Sequence, residues 1–122
     1  MAIRWKALAS QRPVEELEQS YRAAPYRGER LWIGADCLFW QQPLGSVAYL
    51  PFADMERAYI REEEQYVAMG CRRIMAPVAS LAVRLKTGEV KTFTLGEREQ
   101  VERALEALKE LAPELAFGFV KT

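Results

Sequence analysis

The 122-residue sequence has no histidine, only two cysteines, and no excess of either charge, with Lys plus Arg and Asp plus Glu each totalling 17. Without histidine, the commonest general base and a frequent metal ligand are missing, so acid–base chemistry would fall to carboxylates. Zero formal net charge removes the long-range field that draws proteins to nucleic acid or anionic membranes, so either target would need a local basic patch. Apolar runs extend only a few residues, far short of the ~20 needed to cross a bilayer. Residues 1–13 include Arg4, Lys6 and Arg12 but no apolar secretion core, which makes the cytoplasm the expected location. A Gly-rich phosphate loop and a nucleophile elbow are also absent. The expectations are no catalysis, no cofactor, no metal and no nucleic acid. Cys37 and Cys71 lie outside any Cys-x-x-Cys spacing and read as two reduced, largely buried thiols.

What is present is ordinary globular material, half apolar and 28% charged, enough for one core and one domain over residues 1–122. From Pro13 to Ala24, Val14, Leu17, Tyr21 and Ala24 recur at helical spacing with Glu15, Glu16 and Glu18 in the first turns, which predicts a short amphipathic helix. Pro25 stops it. Residues 1–29 thus form an N-terminal extension, 30–95 a set of strands, 97–111 a helix and 113–122 a tail. The order, strands followed by one closing helix, predicts an α+β fold: a mostly antiparallel β-barrel or two-sheet sandwich with a C-terminal helix over one open end.

Within the strand region, Leu31, Trp32 and Ile33 precede Gly34-Ala35-Asp36, and Cys37, Leu38, Phe39 and Trp40 follow. A three-residue loop there would set Trp32 opposite Leu38 and Leu31 opposite Phe39, with large apolar groups on both faces. A strand apolar on both faces is covered on both, by the core on one side and a helix or a partner on the other. Strands are expected at Val47–Leu50 and Met55–Arg61, the second ending in the solvated run Glu62-Glu63-Glu64, and a weak one near Arg72–Ala76. Ser80–Leu95 is the clearest hairpin. A three-residue loop Thr87-Gly88-Glu89 with Gly88 at positive φ would pair Val83 with Phe93 and Leu81 with Leu95. Val101, Ala104, Leu105, Leu108 and Leu111 make one stripe of the final helix, ended by Pro113. The apolar tail Leu115–Val120 is expected to pack back or to extend a sheet edge.

The hairpin Leu31–Trp40, the segment Leu50-Pro51-Phe52-Ala53-Asp54-Met55, the hairpin Leu81–Leu95 and the closing helix together resemble a small bacterial pleckstrin-homology-like domain over roughly residues 30–112. Phosphoinositide-binding members of that family carry Lys and Arg in the loop joining the first two strands, because clustered cations hold a multiply charged headgroup. The matching loop here, Gly34-Ala35-Asp36, is short and acidic and does not support that mode. Arg72-Arg73, flanked by Met69, Cys71, Ile74 and Met75, is the alternative anion or membrane contact, read against a solvated turn. The aromatics Trp32, Phe39, Trp40 and Tyr21 exceed what one face of a small barrel needs. They read either as core or as an interaction surface. The leading functional expectation is a module that binds protein or peptide or self-associates as a homodimer. A peripheral adaptor on anionic lipid comes second, and a small-molecule pocket between barrel and C-terminal helix third.

Overall fold

A computed structural model describes residues 3–118 of the chain. Its strands are β1 (Arg4–Ala7), β2 (Tyr26–Arg27), β3 (Leu31–Ile33), β4 (Cys37–Gln41), β5 (Ser46–Pro51), β6 (Met55–Met69), β7 (Arg72–Leu85), β8 (Val90–Gly96) and β9 (Ala116–Phe117). Two helices, α1 (Val14–Arg22) and α2 (Arg98–Leu111), complete it. The strands make two sheets, ordered β1-β5-β4-β3-β2 and β8-β7-β6-β9. The architecture is α+β with two open sheets rather than a closed barrel. All pairings are antiparallel except β1 with β5 and β9 with β6.

Each face of the first sheet has its own cover. Leu31, Ile33, Leu38 and Leu50 point to the main core, which they share with Ala58, Leu81, Val83 and Phe93 of the second sheet and with Val101, Ala104, Leu105 and Leu108 of α2. Alternate residues Cys37, Phe39, Val47 and Tyr49 point the other way into a smaller core closed by Leu17 of α1, with Trp5, Tyr21 and Trp32 packed against it. The short N-terminal helix therefore covers the second apolar face of the aromatic hairpin. A glycine lets it sit close: a Cβ on Gly34 would collide with Ser20 Oγ and approach the Ser20 carbonyl oxygen to 3.0 Å. Ser20 Oγ in turn donates to Asp36 at 2.8 Å, fixing α1 to the β3–β4 turn.

Two registers differ from the sequence expectation. In the β3–β4 hairpin Trp32 faces Phe39 and Leu31 faces Trp40. The turn is tightened by Gly34 N–H donating to the Cys37 carbonyl at 2.8 Å, one residue shorter than a three-residue loop. That slip changes the parity, placing Trp32 and Phe39 on one face. Because both faces are apolar and both are covered, alternation alone could not select between the two. In β7–β8, Leu85 and Glu89 close a three-residue loop in which Gly88 has φ 95°. The loop starts one residue earlier than expected, so Leu81 faces Phe93 and Val83 faces Lys91, with the same residues still on the core face.

The amphipathic stripe of α2 explains its seat: Val101, Ala104 and Leu108 are fully buried, Val101 and Leu108 each contributing about 1.5–3 kcal/mol by apolar burial and the methyl of Ala104 less than about 1 kcal/mol. After Pro113 the chain returns as β9 beside Arg57 and Ala58, held by Arg57 Nη1 donating to the carbonyls of Phe117 and Gly118 at 3.1 and 2.9 Å. The part of the tail at 119–120 lies outside the described residues.

Candidate interaction arm

The largest departure from the sequence expectation is at Glu62–Pro77. The acidic run does not end a strand. β6 continues through it to Met69, turns at Gly70-Cys71, and β7 returns in unbroken register from Met69↔Arg72 to Ile60↔Leu81. Gly70 has φ 64°, suited to the first central position of a two-residue hairpin turn, where glycine avoids the Cβ clash. β8 ends its pairing at Ala79 and β9 pairs only with Arg57 and Ala58. From Glu63 outward, past the Glu62–Ala79 pair, no other described strand pairs with the ribbon, which forms an arm of seven residue pairs, about 23 Å long at 3.3 Å per residue.

Side chains on the arm divide by strand alternation. The face that carries Ala58, Leu81 and Val83 over the main core continues past the start of α2 as Glu62, Glu64 and Tyr66 on β6 and Arg73, Met75 and Pro77 on β7. At its base Glu62 accepts from Arg98 Nη1 of α2 at 2.7 Å, and Arg98 Nε also donates to Glu102 at 2.9 Å. Beyond that contact no other described element covers the face: Tyr66 is 69% and Met75 50% exposed, and they are directly paired across the ribbon. Ile74, on the opposite face, is 40% exposed. Arg61 bridges Glu63 at 2.5 Å, whereas Glu64, Arg72 and Arg73 have no salt bridge to another described residue. Cys71 is exposed at the tip while Cys37 is buried, so the expectation of two buried thiols holds for Cys37 alone. The arm turn carries Cys71 away from any core. Burial, with Asp36 alongside, pushes the Cys37 thiol up to about 12.

The aromatic candidates are placed differently. Phe39 is fully enclosed and offers no surface to a partner. Tyr21 stacks on Trp32 with centroids 4.5 Å apart and meets Phe39 edge-on at 5.2 Å, so these rings pack α1 onto the first sheet. Trp40 lies on the other face, 5.3 Å from Phe93. The surplus of apolar groups is absorbed by α1. Arg72 and Arg73, by contrast, are exposed beside the arm turn on opposite faces of the ribbon. The weak strand expected near Arg72–Ala76 is present as the outer part of β7, but on the β6 side the sequence offers only a continuous absence of Pro and Gly from Phe52 to Met69, which is compatible with one long strand.

No family model, curated protein or solved structure matches this chain. The reading of its surface therefore rests on its own geometry. A cleft of about 230 Å³ lies between the β2–β3 turn, the end of β8 and the start of α2, lined by Tyr26, Arg27, Arg30, Gln100 and Arg103 among others. It is smaller than the roughly 300 Å³ at which ligand pockets begin. Its cations are already engaged: Arg27 and Arg30 lie 4.7 and 4.5 Å over the rings of Trp32 and Trp40, and Arg103 bridges Glu99 at 2.5 Å. Burial raises the Tyr26 phenol and the nearby Arg103 opposes it. No group of three or more His, Cys, Asp or Glu side chains converges among the described residues, and no described helix is long and apolar enough to cross a membrane.

Proposed function

We propose that this chain is a non-catalytic protein-interaction module of pleckstrin-homology-like kind, and that the β6–β7 arm is the element that engages its partner. The observation that carries this reading is the arm's exposed Tyr66–Met75 pair on a ribbon that leaves the body with neither edge paired to another described strand. An isolated two-stranded ribbon is marginal in water, and a long exposed one invites a macromolecular surface to cover it. Two packed sheets with a C-terminal helix support the family likeness, and the parallel strand β1 and the arm are additions to its basic plan.

The tip also bears on the membrane alternative, since Arg72 and Arg73 flank exposed Ile74 and Met75. Two cations fall short of the roughly four to eight clustered Lys and Arg that hold a segment to anionic lipid. Cys71 provides the test, because it is exposed and Cys37 is not. The protein labelled at Cys71 with a photoactivatable maleimide is illuminated in an extract of its source cells and, separately, with anionic and neutral vesicles at low and physiological salt. Discrete protein adducts, without salt-sensitive sedimentation on anionic vesicles, are the expected result. Lipid adducts with salt-sensitive sedimentation, or no adduct at all, overturn the reading.

A further inference from the structure

We infer that the occupant of the arm is a second copy of the same chain, lying antiparallel on the face that carries Tyr66 and Met75; this rests on the arm being the interaction element. The register of the ribbon makes its exposed face self-complementary. Taking the Tyr66–Met75 pair as the midpoint, the Glu64–Pro77 pair lies two residues toward the body and the Ala68–Arg73 pair two residues toward the tip. Glu64 and Arg73 share one face and are displaced equally, about 6.7 Å, in opposite directions. A two-fold axis through the midpoint therefore stacks Tyr66 and Met75 of one copy on those of the other and sets each Glu64 level with the partner's Arg73. Neither side chain has a salt bridge within its own described chain, so the pairing is available to both.

The same axis carries the tips to a built position. Gly70 lies four residues outward from Tyr66 and Glu62 four residues inward, so each tip arrives level with the other copy's Glu62. There a cleft of about 280 Å³ opens between the arm and the start of α2, lined by Glu62, Pro77, Ala79, Gly96, Glu97 and Arg98. Glu62 is already bridged to Arg98, so the acid of this cleft without a salt bridge to another described residue is Glu97, and the cation on the facing side of the arriving ribbon is Arg73, Arg72 lying on the other face. Edge-to-edge pairing is the poorer arrangement. The β6 edge presents Glu62, Glu63 and Glu64 in succession, and Pro77 interrupts the β7 edge where a backbone donor is needed.

The dimer is a weak one. A ribbon about 23 Å long and about 10 Å wide gives roughly 230 Å² of face per copy, below the ~800 Å² per partner of a stable interface, so the association is reversible and concentration-dependent. Sedimentation equilibrium of the full chain, with Glu64→Arg, Arg73→Glu and the combined variant, tests it. Each single variant is expected to weaken dimerisation about tenfold or more by opposing like charges, and the combined variant to recover most of it, since the swap restores opposite signs. Because these positions are exposed, unchanged circular dichroism and melting are the control for folding. In purified protein the Cys71 photolabel is expected to mark the partner copy at Gly96–Arg98.

A monomer up to about 1 mM, where even a millimolar Kd would show, or a dimer indifferent to the charge swap, overturns self-association. The two readings then separate. A Cys71 adduct to a different protein in the cell extract leaves the arm as the interaction element with another occupant, whereas no protein adduct in either setting removes both.

Discussion

In the body half of β6 and β7, Ala58, Leu81 and Val83 are fully buried beneath α2, whereas in the outer half Tyr66, Ile74 and Met75 stand in solvent, although a single unbroken ladder joins the two halves. The backbone pairing is the same. What changes is the cover: α2 begins at Arg98, packs on the inner pairs, and reaches outward only as far as the Arg98–Glu62 bridge. Net hydrogen-bond contributions of about 1 kcal/mol or less per residue are offset by backbone ordering of similar size, so the outer ladder is held chiefly by its continuity with the inner one. Burial makes the inner half structural; its absence leaves the outer half available for binding.

Substitutions matched across the boundary sharpen this contrast. Leu81→Ala, in the inner half, is expected to lose about 2–5 kcal/mol of unfolding free energy, while Met75→Ala, in the outer half, should stay within about 0.5 kcal/mol. Urea titrations of both measure the difference, and a similar loss at the two sites would mean that the arm belongs to the core. The two turn glycines make a second pair. Gly34→Ala forces a methyl onto Ser20 of α1 and is expected to cost about 1–3 kcal/mol as overpacking. Gly70→Ala at φ 64° meets no atom within 4 Å, and only the left-handed backbone penalty of about 1–2 kcal/mol applies, felt as fraying of the arm. Hydrogen exchange distinguishes the two, with amides of α1 and β3 loosened in the first and only arm amides in the second.

The cysteines extend the comparison to pH. Cys37 holds its proton to about 12 in the folded protein, against an ordinary value of 9.0. The folded state therefore binds more protons than the unfolded state between these values, and stability falls as pH rises above 9, by at most about 1.4 kcal/mol per pH unit. Denaturation midpoints at pH 8 and 10.5 should diverge in the parent and much less in Cys37→Ala. At pH 8 one thiol per folded chain, Cys71, is expected to react with a chromogenic disulfide, and two after unfolding. The smallest effect belongs to the exposed bridge at the boundary. Arg98→Ala should leave the melting midpoint within experimental spread, consistent with the small worth of solvated ion pairs.

The two halves also differ in what their residues disclosed beforehand. Val101, Ala104, Leu105 and Leu108 announce α2 because a helix buried on one side must repeat its apolar residues at helical spacing. Leu81, Val83 and Leu85 alternate with the smaller or polar residues Ser80, Ala82 and Arg84, the period of a strand with its large apolar groups on one face, and Gly88 marks the turn. In the aromatic hairpin the signal saturates. With Trp32 and Phe39 under α1 and Leu31 and Leu38 over the main core, every position is apolar, so the register and the identity of the second cover were not legible. In the arm the signal vanishes. Glu62-Glu63-Glu64 looks like the end of a strand because a free-standing strand has no dry face to impose alternation. The candidate contact Arg72-Arg73 was visible as a pair of cations, but its position at the end of a projecting ribbon was not.

The sequence by itself determined the two helices, the turns at Gly88 and Pro113, the mostly antiparallel α+β character and the neutral charge, because each follows from local periodicity, backbone restriction or composition. The tertiary structure alone decided that the sheets stay open, that α1 rather than a partner covers Tyr21, Trp32 and Phe39, and that β6 and β7 run on past their cover. Those outcomes depend on which surfaces meet across the fold. An exposed ladder takes its conformation from the strand pairs beneath it, leaving no pattern of its own in the chain.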